Sequence, residues 1–195
     1  MDRSLVTELH YIAPVANLPS IARLGIVSHN LAKRVEHSSV AAAEIQDRRV
    51  GKRVPQGLAL HDYVNLYLHA RNPMMSRLTY AGCAPIVVLR INPSVLDLSG
   101  VIIADGNAAA DSTLFLPSPQ GLARLEKERV YARWWTDPDT FVYWEKKRKR
   151  CAEVLVPKRV EVQLITGAYV CDTHGAEACR ALGIGGEVKN DIFFK

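Results

Sequence analysis

Hydrophobic and polar positions along this chain alternate mostly with period two, in short pieces separated by turn residues. Residues 84–91, APIVVLRI, form an apolar run that predicts a buried strand, and residues 101–105, VIIAD, predict a second after a proline-containing connection. An earlier strand runs from Leu9 to Ile12. A short helix follows, opened by Asn17 and Pro19 and closed by Gly25, because Asn suits the N-cap, Pro the first turn and Gly the exit. SSVAAAEIQDRRV predicts a second helix, with Ser38 or Ser39 as its cap and Gly51 just past its end. Between Tyr63 and Leu68 the alternation puts Tyr63, Asn65 and Tyr67 on one face and Val64, Leu66 and Leu68 on the other, and NPMM then marks a turn or a new helix.

From Gly106 to about Thr140 the pattern breaks into DGNAAADS, LPSPQG and WWTDPDT, which predicts a long functional loop with a short helix at GLARLEKERVYARWW. Strand character returns in CAEVLV and VEVQLITGAYV, and KNDIFFK is read as an added edge strand. Short strands interspersed with helices, without regular βαβ alternation, indicate an α+β fold with an antiparallel or mixed sheet. The 195 residues, 48% hydrophobic, suffice for a single domain over residues 1–195.

Composition mainly excludes. No apolar stretch approaches the roughly 20 residues of a membrane span. The start MDRSLVTELH lacks a signal-peptide core, so a cytoplasmic protein with no membrane association is expected. Cys83, Cys151, Cys171 and Cys179 form no CxxC pair and His174 completes no zinc spacing, which favours reduced thiols and no metal. Neither GxGxxG nor GxxxxGK[ST] is present. The net charge of +5 and pI near 9.1 admit an anionic partner.

KRKRCAEVLVP, residues 147–157, raises a sharper question. If the apolar part is a strand, Cys151, Glu153 and Leu155 share a face that is otherwise unsuited to a carboxylate, and an ionised Glu153 there requires a partner or a ligand. The alternative is that the helix suggested by YWEKKRKR continues to residue 156 with Glu153 solvated; Val154, Val156 and Pro157 favour the strand. The cations Lys146, Lys147, Arg148, Lys149 and Arg150 precede it, and Arg48, Arg49, Lys52 and Arg53 sit close together in IQDRRVGKR. Each group is either a solvated face or a phosphate-binding surface.

NLPSI, IQDRR, LHDYVNLYLHARNPMM, DGNAA and CAEVLV, in this order over residues 8–170, resemble the DarT family of bacterial DNA ADP-ribosyltransferase toxins. The resemblance implies an ADP-ribosyltransferase-like fold, a split mixed or antiparallel central sheet with flanking helices around an NAD cleft. It implies transfer of ADP-ribose from NAD to a base, thymine in most members, of single-stranded DNA, with release of nicotinamide. A macrodomain antitoxin that removes the modification is the implied partner.

By the same resemblance Glu153 is the catalytic glutamate, and Arg49, with Arg48 as its near equal, is the functional arginine. Asn17, Tyr67 and either His10 or Tyr11 fall on the cofactor side. Arg71 and Arg77 and the run from Lys146 to Arg150 are expected to meet DNA, the loop from Gly106 to Thr140 to form a lid, and Trp134 and Trp135 either to stack a base or to anchor that lid. Asn65 and Asn72 stand where other members have Pro and Ser, marking a distinct branch. Two other readings stay open: an ADP-ribosyltransferase acting on RNA or protein, and an inactive nucleic-acid-binding module.

Overall fold

The computed structural model describes residues 1–82 and 85–195, so Cys83 and Ala84, the first residue of the predicted strand 84–91, lie outside the described residues. The strands are β1 (Leu9–Pro14), β2 (Ile26–Val27), β3 (Tyr63–Tyr67), β4 (Ile86–Ile91), β5 (Ile102–Ala104), β6 (Phe115–Pro117), β7 (Glu153–Pro157), β8 (Arg159–Val160), β9 (Ile165–Val170) and β10 (Gly186–Val188). The helices are α1 (Leu18–Leu24), α2 (His29–Ala32), α3 (Ala43–Arg49), α4 (Pro73–Tyr80), α5 (Lys127–Val130), α6 (Thr140–Arg150) and α7 (Thr173–Arg180).

Eight strands form one sheet in the order β10-β9-β4-β1-β3-β7-β5-β6, with β2 and β8 paired separately. Only β9 and β10 run parallel; the other pairs are antiparallel. The seam between β1 and β3 is held by a single register pair, His10 opposite Tyr67, whereas β1 and β4 pair continuously from Leu9–Ile91 to Pro14–Ile86. Two well-paired halves therefore meet at a weak joint, which is the split of an α+β fold with flanking helices.

Period-two alternation places the two faces in different environments. Leu9, Ala13, Leu66, Val87, Leu89, Val154 and Val156 turn into the main core, beneath Leu18 and Ile21 of α1 and Ala176 and Cys179 of α7. On the other face the packing is divided. Met75 and Leu78 of α4 cover Ile12, Tyr67, Val88 and Tyr169, while Val54 and Leu60 cover Tyr63, Ala104 and Leu155. Glu153 pairs with Tyr67 on one side and Ala104 on the other, so it lies where these two apolar patches part.

Several expectations are corrected. The second helix starts at Ala43, not after Ser38 or Ser39, because Ser38 is engaged elsewhere: Asn17 donates Nδ2 to its carbonyl at 2.8 Å and accepts from its amide at 2.9 Å. The Asn17 side chain consequently does not cap α1. Residues 190–193 form a 3-10 turn rather than an edge strand, since Ile192 and Phe193 fold into the core, and β10 takes the edge. Helix α7, capped by the Asp172 side chain accepting from the Gly175 amide at 2.8 Å, was not anticipated. Most of residues 106–140 is packed structure instead of a lid: β6 extends the sheet, and Leu122, Leu125, Val130 and Trp135 are buried. Tyr63 is buried too, its Oη accepting from the Leu58 amide, so it is not a stacking surface.

Candidate active site

Helix α6, capped by Asp139 accepting from the Val142 amide at 2.9 Å, ends at Arg150, and three residues later β7 begins at Glu153. The helix does not continue through the apolar run, so Glu153 points into the sheet face and is 1% exposed. Its partner comes from the end of α3. Arg49, 6% exposed, places Nη2 2.8 Å from Oε1 and 2.6 Å from Oε2 of Glu153. The Ala108 amide, in the DGNAA turn, donates to Oε1 at 3.1 Å. Burial by itself would lower the Arg49 pKa, but the charge and hydrogen bonds of Glu153 outweigh it and raise the guanidinium above its usual value.

Arg48, the neighbour considered equal to Arg49, is exposed on the adjoining helix face and does not touch Glu153. Across the sheet, His10, Tyr67, Glu153 and Ala104 stand opposite one another on β1, β3, β7 and β5 and share one face. At about 4.8 Å per strand, His10 is two strands or about 10 Å from Glu153. Tyr11 faces the other way, into a small cavity of about 50 Å³ that Asn17 also lines. The geometry thus puts His10, not Tyr11, on the Glu153 side. His10 is 5% exposed, with Nε2 3.1 Å from Glu8 and Nδ1 lacking a hydrogen-bond partner. Burial pushes the Glu8 pKa up, but hydrogen bonds from His10, Arg90 and Tyr169 hold it down at about 2.

A cleft of about 750 Å³ opens over Arg49 and Tyr67, within the roughly 300–1,000 Å³ typical of small-molecule sites. One wall carries Arg48 and Gln46 of α3, with Met74 and Arg77 of α4; the other carries Phe141, Trp144, Lys147 and Arg148 of α6, with Asn107 and Ser112 at the end. Tyr67 donates Oη to Met74 Sδ at 3.2 Å, and burial raises its pKa well above the phenolic range.

The expected cationic surface is only partly present, because the helical period distributes the run around α6. Lys146 is paired with Asp137 at 2.6 Å and Lys149 with Glu126 and Glu145. Arg148 bonds Asp105 and Glu145, each at 2.8 Å. Arg150 is buried against the carbonyls of Val130 and Arg71 and the His69 ring. Lys147 lies over the Tyr143 and Trp144 rings and faces the cleft. Arg71 is buried between the Trp134 and Phe194 rings and bonds the Asp191 carbonyl, so it too is structural. Arg77 reaches the Val40 carbonyl at 2.9 Å from the cleft wall. Arg48, Arg77 and Lys147 are therefore the cations of the predicted set available to a bound anion.

Two functional residues escaped the sequence reading. Phe141 and Trp144 are 86% and 57% exposed and face the cleft, whereas Trp135 is buried and Trp134 packs on Arg71. The signal was in FVYWEKK: Phe141, Trp144 and Lys147 recur every three residues and mark one helical stripe. Among the described residues no group of three or more His, Cys, Asp or Glu is arranged to hold a metal ion. No helix among them is long and apolar enough to cross a membrane. Cys151 and Cys179 are buried free thiols, and burial raises Cys151 to about 12.

A protein-family profile described as "ssDNA thymidine ADP-ribosyltransferase, DarT" matches residues 10–191. A DNA ADP-ribosyl transferase from Thermus sp. (strain 2.9) is 32% identical over 171 residues, 82% of this chain and 78% of that protein. A DNA ADP-ribosyl transferase–DNA ADP-ribosyl glycohydrolase fusion protein from Thermosipho africanus (strain H17ap60334) is 29% identical over 175 residues, 85% of this chain. The chain spans only 42% of that fusion protein. The solved Thermus sp. 2.9 DarT in complex with ADP-ribosylated ssDNA superposes with a TM-score of 0.84 at 27% identity, covering 97% of each chain.

Proposed function

The chain belongs to the DarT family, and from that premise we propose that residues 1–195 act as one domain transferring ADP-ribose from NAD to a base, thymine, of single-stranded DNA. The observation that carries this reading is the buried Arg49–Glu153 ion pair, whose arginine lines a cleft with unpaired cations and exposed aromatic rings on its walls.

NAD supplies an electrophilic ribose carbon and a leaving group that departs with the bonding electrons, cancelling its own positive charge. The protein's task is to stabilise the positive charge that the sugar gains as that bond lengthens. Glu153 is a preorganised counter-charge for it, held in a site that excludes water, where its field is least screened. Its Oε2 carries one hydrogen bond and Oε1 two, which leaves Oε2 the better acceptor for a ribose hydroxyl. Arg49 orients the carboxylate through hydrogen bonds to both of its oxygens. Tyr67, which lines the cleft, and His10, on the same sheet face, are assigned to the nicotinamide end. Arg48, Arg77 and Lys147 serve the phosphates.

In this reading the protein is a toxin, and its partner is a macrodomain glycohydrolase that reverses the modification, the activity to which the Thermosipho relative is fused. The test is a mass-spectrometric search for covalent ADP-ribose on DNA, RNA and protein substrates incubated in parallel with NAD. Adducts on single-stranded DNA alone are expected. Adducts on RNA or protein alone would move the substrate to those classes, and no adduct on any of the three would leave a binding module.

A further inference from the structure

We infer that Arg148 is a positioning residue: it holds the turn 105–109 so that the Ala108 amide stays fixed on Oε1 of Glu153. The inference rests on the transferase reading above, and it reassigns Arg148 from the phosphate contact expected of the basic run.

The guanidinium is already committed. Nη1 bonds Asp105 Oδ1 at 2.8 Å and Thr113 Oγ1 at 3.3 Å, while Nε and Nη2 each bond Glu145 at 2.8 Å. The backbone of the same residue joins in, its carbonyl accepting from the Asn107 amide at 3.0 Å. Between these two attachments sits Gly106. A Cβ there would lie 2.5 Å from Nη1 and 2.8 Å from Cγ of Arg148, so the turn can close on the arginine only without a side chain. The next amide after Asn107 is Ala108, which donates to Glu153.

The turn is braced from within and from the opposite wall. Asn107 Oδ1 accepts from the Ala109 amide at 2.9 Å, and Thr113 donates to the Asn107 carbonyl at 2.7 Å. Lys52, three residues beyond Arg49, donates to the Ala109 carbonyl at 2.6 Å. The Ala108 amide belongs to this turn, the segment following Arg49 is tied to it through Lys52, and Arg148 anchors the turn to α6. A carboxylate with a fixed Oε1 presents Oε2 in one orientation, which is what a charge-stabilising group needs. Loosening the turn would let the carboxylate rotate about its last bond.

The experiment compares Arg148→Lys and Gly106→Ala with wild type, and places Arg148→Lys in a Glu153→Gln background. Lysine keeps the charge but cannot span Asp105 and Glu145 together. Positioning predicts that kcat falls about tenfold in each single variant while KM for NAD and for the oligonucleotide holds within about twofold. It also predicts that Arg148→Lys costs almost nothing further once Glu153 is Gln, because the arginine acts through that carboxylate. The salt slope of DNA binding should be unchanged. A phosphate contact would behave oppositely, raising the oligonucleotide KM, reducing the slope by about 0.7 and adding fully in the Glu153→Gln background, and that result overturns the inference. If the Arg148 variant does not fold, Asp105→Asn removes the same ion pair with little change of shape. Full-rate transfer by folded Asp105→Asn likewise overturns it. Absence of transfer by wild type on every substrate would count against the transferase reading itself, not against the position of Arg148.

Discussion

Arg49 Nη2 bonds both carboxylate oxygens of Glu153 across 104 residues of chain, at 2.8 and 2.6 Å, with both side chains almost wholly buried. Such a pair is ambiguous from its geometry alone, since buried ion pairs often contribute little to net stability and are retained for specificity or function. Here its arginine lines the cleft, which makes stability and activity separable by experiment.

Glu153→Gln should affect both. Arg49 would remain buried and charged opposite an amide, and breaking a buried pair costs about 3–5 kcal/mol, so Tm is expected to fall. Transfer per folded molecule is expected to fall about a hundredfold or more, as when one preorganised electrostatic group is lost. Melting temperature, NAD affinity and single-turnover transfer on one preparation resolve the two effects. Wild-type transfer by the folded variant would remove Glu153 from the chemistry.

Arg48 and Arg49 should separate cleanly. Arg49→Ala is expected to abolish transfer and lower Tm, leaving Glu153 without its counter-charge, whereas Arg48→Ala should leave kcat near wild type. If Arg48 meets a DNA phosphate, its loss reduces the slope of log affinity against log salt by about 0.7, the single-strand value per phosphate. A salt titration of oligonucleotide binding in the two variants checks this, and an unchanged slope for Arg48→Ala would exclude the phosphate contact.

Phe141 and Trp144 predict a stacking surface for an unpaired base. Trp144→Ala should weaken oligonucleotide binding by about 1–3 kcal/mol with NAD affinity unaltered. In a Trp134→Phe, Trp135→Phe background, the remaining Trp144 fluorescence should be quenched by single-stranded DNA. The same strand annealed to its complement should quench less and be a poor substrate, because unpairing and unstacking the base costs a few kcal/mol. Equal transfer to matched single and double strands would contradict this use of the cleft.

His69 predicts an acid-sensitive step in stability. Its Nδ1 accepts from the Arg71 amide and lies 3.1 Å from Arg150 Nη2, so the ring is held neutral, and burial followed by the Arg150 charge lowers its pKa to about 3. The unfolded ring titrates near 6.5. Below that pH the unfolded state binds the extra proton, so stability should fall as pH drops from about 6.5 toward 3, by at most about 1.4 kcal/mol per unit. Glu8, held at about 2, adds its own loss only once pH falls below the ordinary glutamate range near 4.3. Denaturant melts of His69→Asn between pH 6.5 and 5.5, where Glu8 is ionised in both states, should show a flatter profile. A slope identical to wild type would show that another group controls this window.

What the sequence determined by itself was local. Apolar runs identified β4 and β5, strand-favouring residues β1, β3 and the strand that carries Glu153, and parity set the face on which that glutamate lies, because side-chain direction in a strand alternates. Gly25, with φ of +73°, ended α1 as expected of a residue without a Cβ. The motif order was enough to point to the family and to Glu153 as its candidate catalytic residue. Tertiary structure decided whatever depends on surfaces brought together from distant segments. Neighbouring helix residues point about 100° apart, so only the packing of α3 could choose Arg49 over Arg48 for the interior. The seam between β1 and β3 set His10, rather than Tyr11, in the row with Tyr67 and Glu153. The five consecutive cations read as one surface, yet α6 turns them toward Asp137, Asp105, Glu126, the Arg71 carbonyl and the cleft in turn. A charge run records composition, and its function depends on which carboxylates the fold places opposite each member, a relation that exists only once the chain has closed.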